Sequence, residues 1–121
     1  MPGPLYRSRP KKVFYYGKAV DFRKQTTGLA AIVDGELPGE MRQGHWFVFV
    51  STDKKKAKIL YWRGTGLALW QLRLERDLFK LGSPRVVATR TLTWRDLGRL
   101  LDGLNIFAGA AHDVTKPKRY L

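Results

Sequence analysis

WFVFVSTDKKKAKILYWRGTGLALWQLRLE, residues 46–75, divides into three strand-like runs and two turns, and the fold follows from how those runs pair. Residues 46–51 are aromatic and β-branched, a composition that fits a pleated, partly buried surface. Residues 52–56 include Asp53, Lys54, Lys55 and Lys56, too polar to bury and too few for anything but a hairpin connection. Strand character resumes over 57–63. Gly64-Thr65-Gly66 then offers two residues that take positive φ without steric cost, and 67–75 is the return strand.

If Ser51 faces Ala57 and Arg63 faces Leu67, period-two alternation sorts the side chains onto two faces. Phe47, Phe49, Ile59, Tyr61, Leu67 and Leu69 fall on one. Trp46, Val48, Val50, Leu60, Trp62, Ala68, Trp70 and Leu72 fall on the other, which gathers three of the four tryptophans, Trp46, Trp62 and Trp70, into a patch suited to stacking or to an interface. Both faces are apolar. A sheet with one wet side would alternate cleanly, so helices, a partner chain or a ligand must cover both sides of this one.

Working outward, Val13–Tyr16 (VFYY) is a short strand candidate ended by Gly17. Asp21 is placed to cap a helix running to about Val33, with Phe22, Leu29, Ile32 and Val33 on one side. Arg23 and Lys24 would then oppose the helix dipole in the first turn, which points to service of an anion, and Gly28 needs a reason such as close packing on the sheet. Residues 34–44 read as a loop. Residues 85–92 read as a weakly alternating fourth strand. Thr93 opens a second helix, with Trp94, Leu97, Leu101 and Leu104 on one stripe and Leu100 beside it, stopped by Gly103 or the Asn105 region. The expectation is an α+β domain over residues 13–106, a central antiparallel meander of three or four strands with two helices. A disordered basic arm (1–12) and a flexible basic tail (107–121) flank it.

The 121 residues carry 23 Lys and Arg against 10 Asp and Glu, a formal charge of +13. The arm holds +4 and residues 105–121 hold +2, so the folded middle keeps +7 against its own repulsion. Such an excess commonly serves a polyanion such as DNA or RNA. Absence of cysteine excludes disulfides, thiolate catalysis and the common zinc frameworks, and fits a reducing, cytoplasmic setting. The apolar runs are strand-sized and interrupted by charge, so no membrane span or signal peptide is expected.

Residues for catalysis are sparse. His45 and His112 stand alone, and the glycines at 64–66 answer to turn geometry. Asp53-Lys54-Lys55 after an apolar strand, with Asp34 and Glu40 upstream, superficially matches the carboxylate and lysine pattern of Mg²⁺-dependent nucleases, but an Asp-x-Lys in a hairpin turn lacks the rigidity that chemistry needs. No catalytic residue, metal or cofactor is therefore assigned. The surface chemistry favours phosphate contact through Arg23, Lys24, Lys54, Lys55, Lys56, Lys58, Arg63 and Arg73.

Four segments, VDFRKQTTGLAAIV, WFVF, KILYWRGTGLALWQLRLERDLF and LTWRDLGRLLDGL, carry a family resemblance over residues 13–106. In order and spacing they resemble the TnpB accessory proteins of bacterial insertion sequences, in the insertion-sequence family numbered sixty-six, distinct from the RNA-guided nuclease that shares the TnpB name. The matching positions are Asp21, Arg23, Lys24, Phe47, Phe49, Lys58, Leu60, Tyr61, Trp62, Gly64, Gly66, Arg73, Leu74, Glu75, Leu100, Leu101 and Gly103. The chain departs from the pattern at Arg63, where the family commonly has an acid, and at Asp77, where it tends to have glycine. The resemblance implies a part in DNA transposition beside a DDE transposase, with the element's DNA and the transposase as partners. The alternative reading is an interaction module whose apolar sheet face docks on the transposase or on another copy of the chain, and a metal-dependent nuclease stands third.

Overall fold

The computed structural model describes residues 9–82 and 89–107. Seven elements follow in chain order: β1 (Val13–Tyr16), α1 (Thr26–Glu36), β2 (Trp46–Val50), β3 (Lys56–Trp62), β4 (Leu67–Arg73), β5 (Thr89–Leu92) and α2 (Trp94–Leu101). The α+β class and both helices are as expected. The sheet is larger than the expected three or four strands: five strands lie in the order β4-β3-β2-β1-β5, and β1 pairs parallel with β2, so the sheet is mixed. The parallel pair arises because the chain leaves β1, crosses one face as α1 and re-enters beside β1 in the same direction, the crossover that parallel pairing requires. Within 85–92 only Thr89–Leu92 is described as strand; residues 85–88, 1–8 and 108–121 lie outside the described residues.

Both hairpin registers differ by one residue from the sequence expectation. Val50, not Ser51, faces Ala57, and Trp62 faces Leu67. In the first hairpin the Ser51 side-chain oxygen accepts from Lys56 N–H at 3.0 Å while Asp53 accepts from Lys55 N–H at 3.0 Å, so Lys56 is drawn into the ladder and the loop shortens to 52–55. Lys54 takes a left-handed φ of 62° to close it. In the second, Arg63 N–H donates to the Gly66 carbonyl, leaving a two-residue Gly64-Thr65 turn whose φ of 104° at Gly64 glycine tolerates freely. One slip exchanges the faces of β3. The second slip restores β4 to its expected face.

The two faces are therefore re-sorted. Trp46, Val48, Val50, Ala57, Ile59 and Tyr61 form one core with Leu97, Leu100 and Leu101 of α2, and Trp70 packs against it. Phe47, Phe49 and Leu60 form the other with Leu29 and Val33 of α1. Trp62 lies opposite Leu67, on the α1 side and away from Trp46 and Trp70. The expectation that both sides are covered holds, with a helix on each.

α2 is capped as its sequence implies: the Thr93 side chain accepts from Asp96 N–H at 3.0 Å. At its other end Gly103 (φ 83°) donates to the Leu100 carbonyl and Leu104 to the Arg99 carbonyl, the paired bonds of a Schellman stop. Leu104 is 47% exposed, so it leaves the expected stripe. α1 begins four residues later than expected. Its N-cap is Gln25, and Asp21 instead closes a separate turn by accepting from Arg23 N–H at 2.9 Å. Gly28 is explained by Lys24, because a Cβ at position 28 would lie 3.0 Å from the Lys24 Cβ. The lysine stem, rather than the sheet, occupies that space.

Candidate nucleic-acid interface

The lysine turn is held more firmly than its composition implies. Phe79 N–H donates to the Lys54 carbonyl and Leu74 N–H to the Lys55 carbonyl, both at 2.8 Å, and Phe79 is buried in the α2-side core. Ser51 Oγ donates to Asp53 at 2.6 Å and Lys55 N–H to the same oxygen at 3.0 Å, and these two bonds hold the Asp53 carboxyl below its ordinary range. Lys54 and Lys55 thus project into solvent from a backbone fixed on both sides, with the nearest carboxylate committed to the turn. Lys56 stands opposite Arg73 on the neighbouring strand, one step from the turn.

Arg23 and Lys24 belong to the same half of the molecule. The Lys58 ammonium lies 3.5 Å from the Phe22 carbonyl oxygen and 4.6 Å from the Phe22 ring centre, which draws residues 22–24 over β3. Arg23 is fully solvated, with 91% of its side chain exposed, and forms a short bidentate pair with Asp21 that pulls the Asp21 carboxyl down to about 2. Lys58 is different. Only 6% exposed, it faces inward, and desolvation lowers its pKa with a contribution from neighbouring Lys56. Of the eight basic residues singled out in sequence, Arg23, Lys24, Lys54, Lys55, Lys56 and Arg73 therefore gather toward one end of the β3–β4 hairpin. Lys58 lies beneath them, and exposed Arg63 sits at the far end of β3, a strand of seven residues and roughly 20 Å long.

The three-tryptophan platform does not form. Trp46 is 4% exposed, packed against Tyr61 and Trp94 with ring centres 5.8 and 5.5 Å away, so it cannot stack on a base. Trp70 is half-buried against the α2-side core, and Trp62 carries the Arg42 guanidinium 4.5 Å above its ring on the other face. A second basic rim, not foreseen from the sequence, appears at the far end of the sheet. Arg9 covers Trp94 at 4.9 Å, and Lys11 is fixed there by its N–H to the Gly44 carbonyl. Only the parallel β1–β2 pairing brings residues 9–12 beside 42–45, and no local pattern announces it.

The acids of the nuclease pattern are not brought together. Asp34 is on α1, Glu40 bonds His45 Nε2 at 3.0 Å, and Asp53 is in the hairpin turn. Among the described residues no three His, Asp or Glu side chains are grouped to hold a metal ion. Burial drives the Tyr15 phenol above its usual range, Arg90 partly opposing, but that hydroxyl is fully enclosed and out of reach of a substrate. No helix among the described residues is long and apolar enough to cross a membrane.

The model of one protein family, described as IS66 Orf2-like protein, matches residues 11–110. The matched span contains every strand and both helices described above. No curated protein and no solved structure matches the chain.

Proposed function

We propose, from the premise that this chain belongs to the IS66 Orf2-like family of transposition accessory proteins, that it is a non-catalytic DNA-binding partner of a DDE transposase in the cytoplasm. The observation that carries the reading is the anchored lysine turn. Long cationic side chains on a mobile loop lose ordering entropy when they meet phosphate, whereas here the Leu74 and Phe79 amides have already fixed the backbone that bears Lys54 and Lys55. Arg23, Lys24, Lys56 and Arg73 extend the same surface. Phosphate contacts of this kind give strong salt dependence and little sequence preference. Fluorescence anisotropy with labelled duplex and single-stranded DNA, at low and physiological ionic strength, tests it. Binding should fall steeply with salt and weaken in Lys54→Gln/Lys55→Gln; no complex with either DNA at low ionic strength sinks the reading.

A second reading is a protein–protein interaction module that docks on the transposase or on another copy of the chain, and the half-exposed apolar strand β4 at the sheet edge supports such docking without choosing between the two. Co-purification of the two proteins without DNA is its test, and a chain that ignores the transposase counts against it.

A further inference from the structure

The two edges of the sheet are built differently. β5 is short and polar, Thr-Arg-Thr-Leu, the kind of edge that discourages further pairing. β4 is seven residues of LALWQLR, with no proline and no charge before its last residue. The hydrogen bonds from Arg63 to Gly66 and from Leu74 to Lys55 bracket its ladder with β3. By alternation the pairs Tyr61–Ala68, Ile59–Trp70 and Ala57–Leu72 are the bonded ones, so the backbone groups of Leu67, Leu69, Gln71 and Arg73 point away from β3. No described strand meets them.

We infer that β4 is the pairing edge for a second copy of this chain, the two strands running antiparallel about a two-fold axis at Trp70. That register follows from the chemistry of the strand. It sets Leu69 opposite Gln71 of the second copy and Leu67 opposite Arg73 of the second copy, and all four residues present outward amides and carbonyls. Trp70 meets its own copy as a non-bonded pair, the closer of the two kinds, which suits large rings. Arg73 is kept away from its counterpart, the main hazard for a chain of charge +13. A transposase strand could use the same amides, but nothing in β4 selects for it, whereas self-pairing in this register keeps the strand's one charge apart from its copy and sets the Trp70 rings together.

This inference does not depend on DNA binding, and it is tested on the full chain without DNA. Sedimentation from 1 to 100 µM (working concentrations of about this range suit weak dimers) should show a monomer–dimer equilibrium. Over the same range, hydrogen exchange at the Leu69 and Gln71 amides should slow at least tenfold. Gln71→Pro removes an outward N–H without touching the β3 ladder and should weaken dimerisation at least tenfold while circular dichroism stays unchanged. Should that variant unfold, the exchange measurement on the unaltered chain decides. A monomer throughout, edge amides protected equally at every concentration, or protection only after transposase is added would each overturn the proposal.

Discussion

The Lys58 ammonium sits 4.6 Å from the ring centre of Phe22, under a residue 36 positions earlier in the chain. The ring face and the Phe22 carbonyl replace part of the hydration the cation loses, as cation–π and ion–dipole contacts do. Desolvation still outweighs them and lowers the lysine pKa from 10.5. A base with a depressed folded-state pKa binds fewer protons folded than unfolded, so its burial costs stability at neutral pH and the cost fades as pH rises toward 10.5. Lys58→Met should therefore be within about 1 kcal/mol of the parent at pH 7 or more stable, with the parent gaining on it as pH rises. Phe22→Ala should cost about 2 kcal/mol, less than for a fully buried ring. Denaturant titrations from pH 7 to 10 check both.

Asp21 shifts in the opposite sense. Its carboxyl, held at about 2 by the Arg23 side chain and backbone, favours the folded state above the ordinary value of 3.8 and loses that contribution as pH falls through about 2. In Arg23→Gln the Asp21 midpoint should rise toward 3.8 but stop short of it, because the residue-23 N–H still donates to the carboxylate. Carboxyl NMR on the two proteins measures it, and an unchanged midpoint would show that the Asp21–Arg23 pair does not exist in solution.

Exposed lysines and the buried one should part company in DNA binding. Lys54→Gln and Lys55→Gln should each reduce the slope of log affinity against log salt by about 0.9 on duplex DNA, and Lys58→Met should leave it unaltered. A slope change at Lys58 equal to that at Lys55 would mean the inward lysine swings out to phosphate.

Asp77 occupies a left-handed φ of 66°, at the position where the family resemblance expects glycine. Its carboxylate accepts from Leu78 N–H at 2.8 Å and from Lys80 at 2.9 Å, local bonds that help Asp tolerate this region. Asp77→Ala loses both and keeps the Cβ, while Asp77→Gly loses both and frees the backbone. Glycine should exceed alanine in stability by about 1 kcal/mol. Thermal melts of the two variants give the difference directly.

The sequence was most legible where a local rule had one reading. Thr93 as cap and Gly103, one of the two stops the sequence offers, depend on neighbours within a turn, and the structure has both. The hairpin registers differ by one residue each from the sequence reading: a serine hydroxyl decides where the Ser51–Lys56 ladder resumes, and the Arg63–Gly66 bond decides the second turn. The observed register sets Trp62 on the face opposite Trp46 and Trp70, so the expected three-tryptophan patch is split. Lys58 belongs by sequence to the basic run expected at phosphate, whereas the path of Phe22 over β3 buries it, and that path is tertiary. The basic cluster was legible as charge, but its anchoring by Leu74 and Phe79 was not, since nothing local links residue 54 to residue 79.

The position of β1 has a kinetic meaning. β2, β3 and β4 are joined by short turns and can zip up within microseconds to milliseconds. β1 must close a long loop to set Val13 against Trp46, and β5 has only β1 to pair with, joining Val13 to Leu92. The expected order of sheet assembly is therefore the meander first, VFYY second and β5 after that four-residue strand. Native-state exchange should find Thr89–Leu92 opening in one cooperative step with Val13–Tyr16 and at lower free energy than the meander. Four residues then govern whether a segment some 75 positions further along the chain holds its place in the sheet.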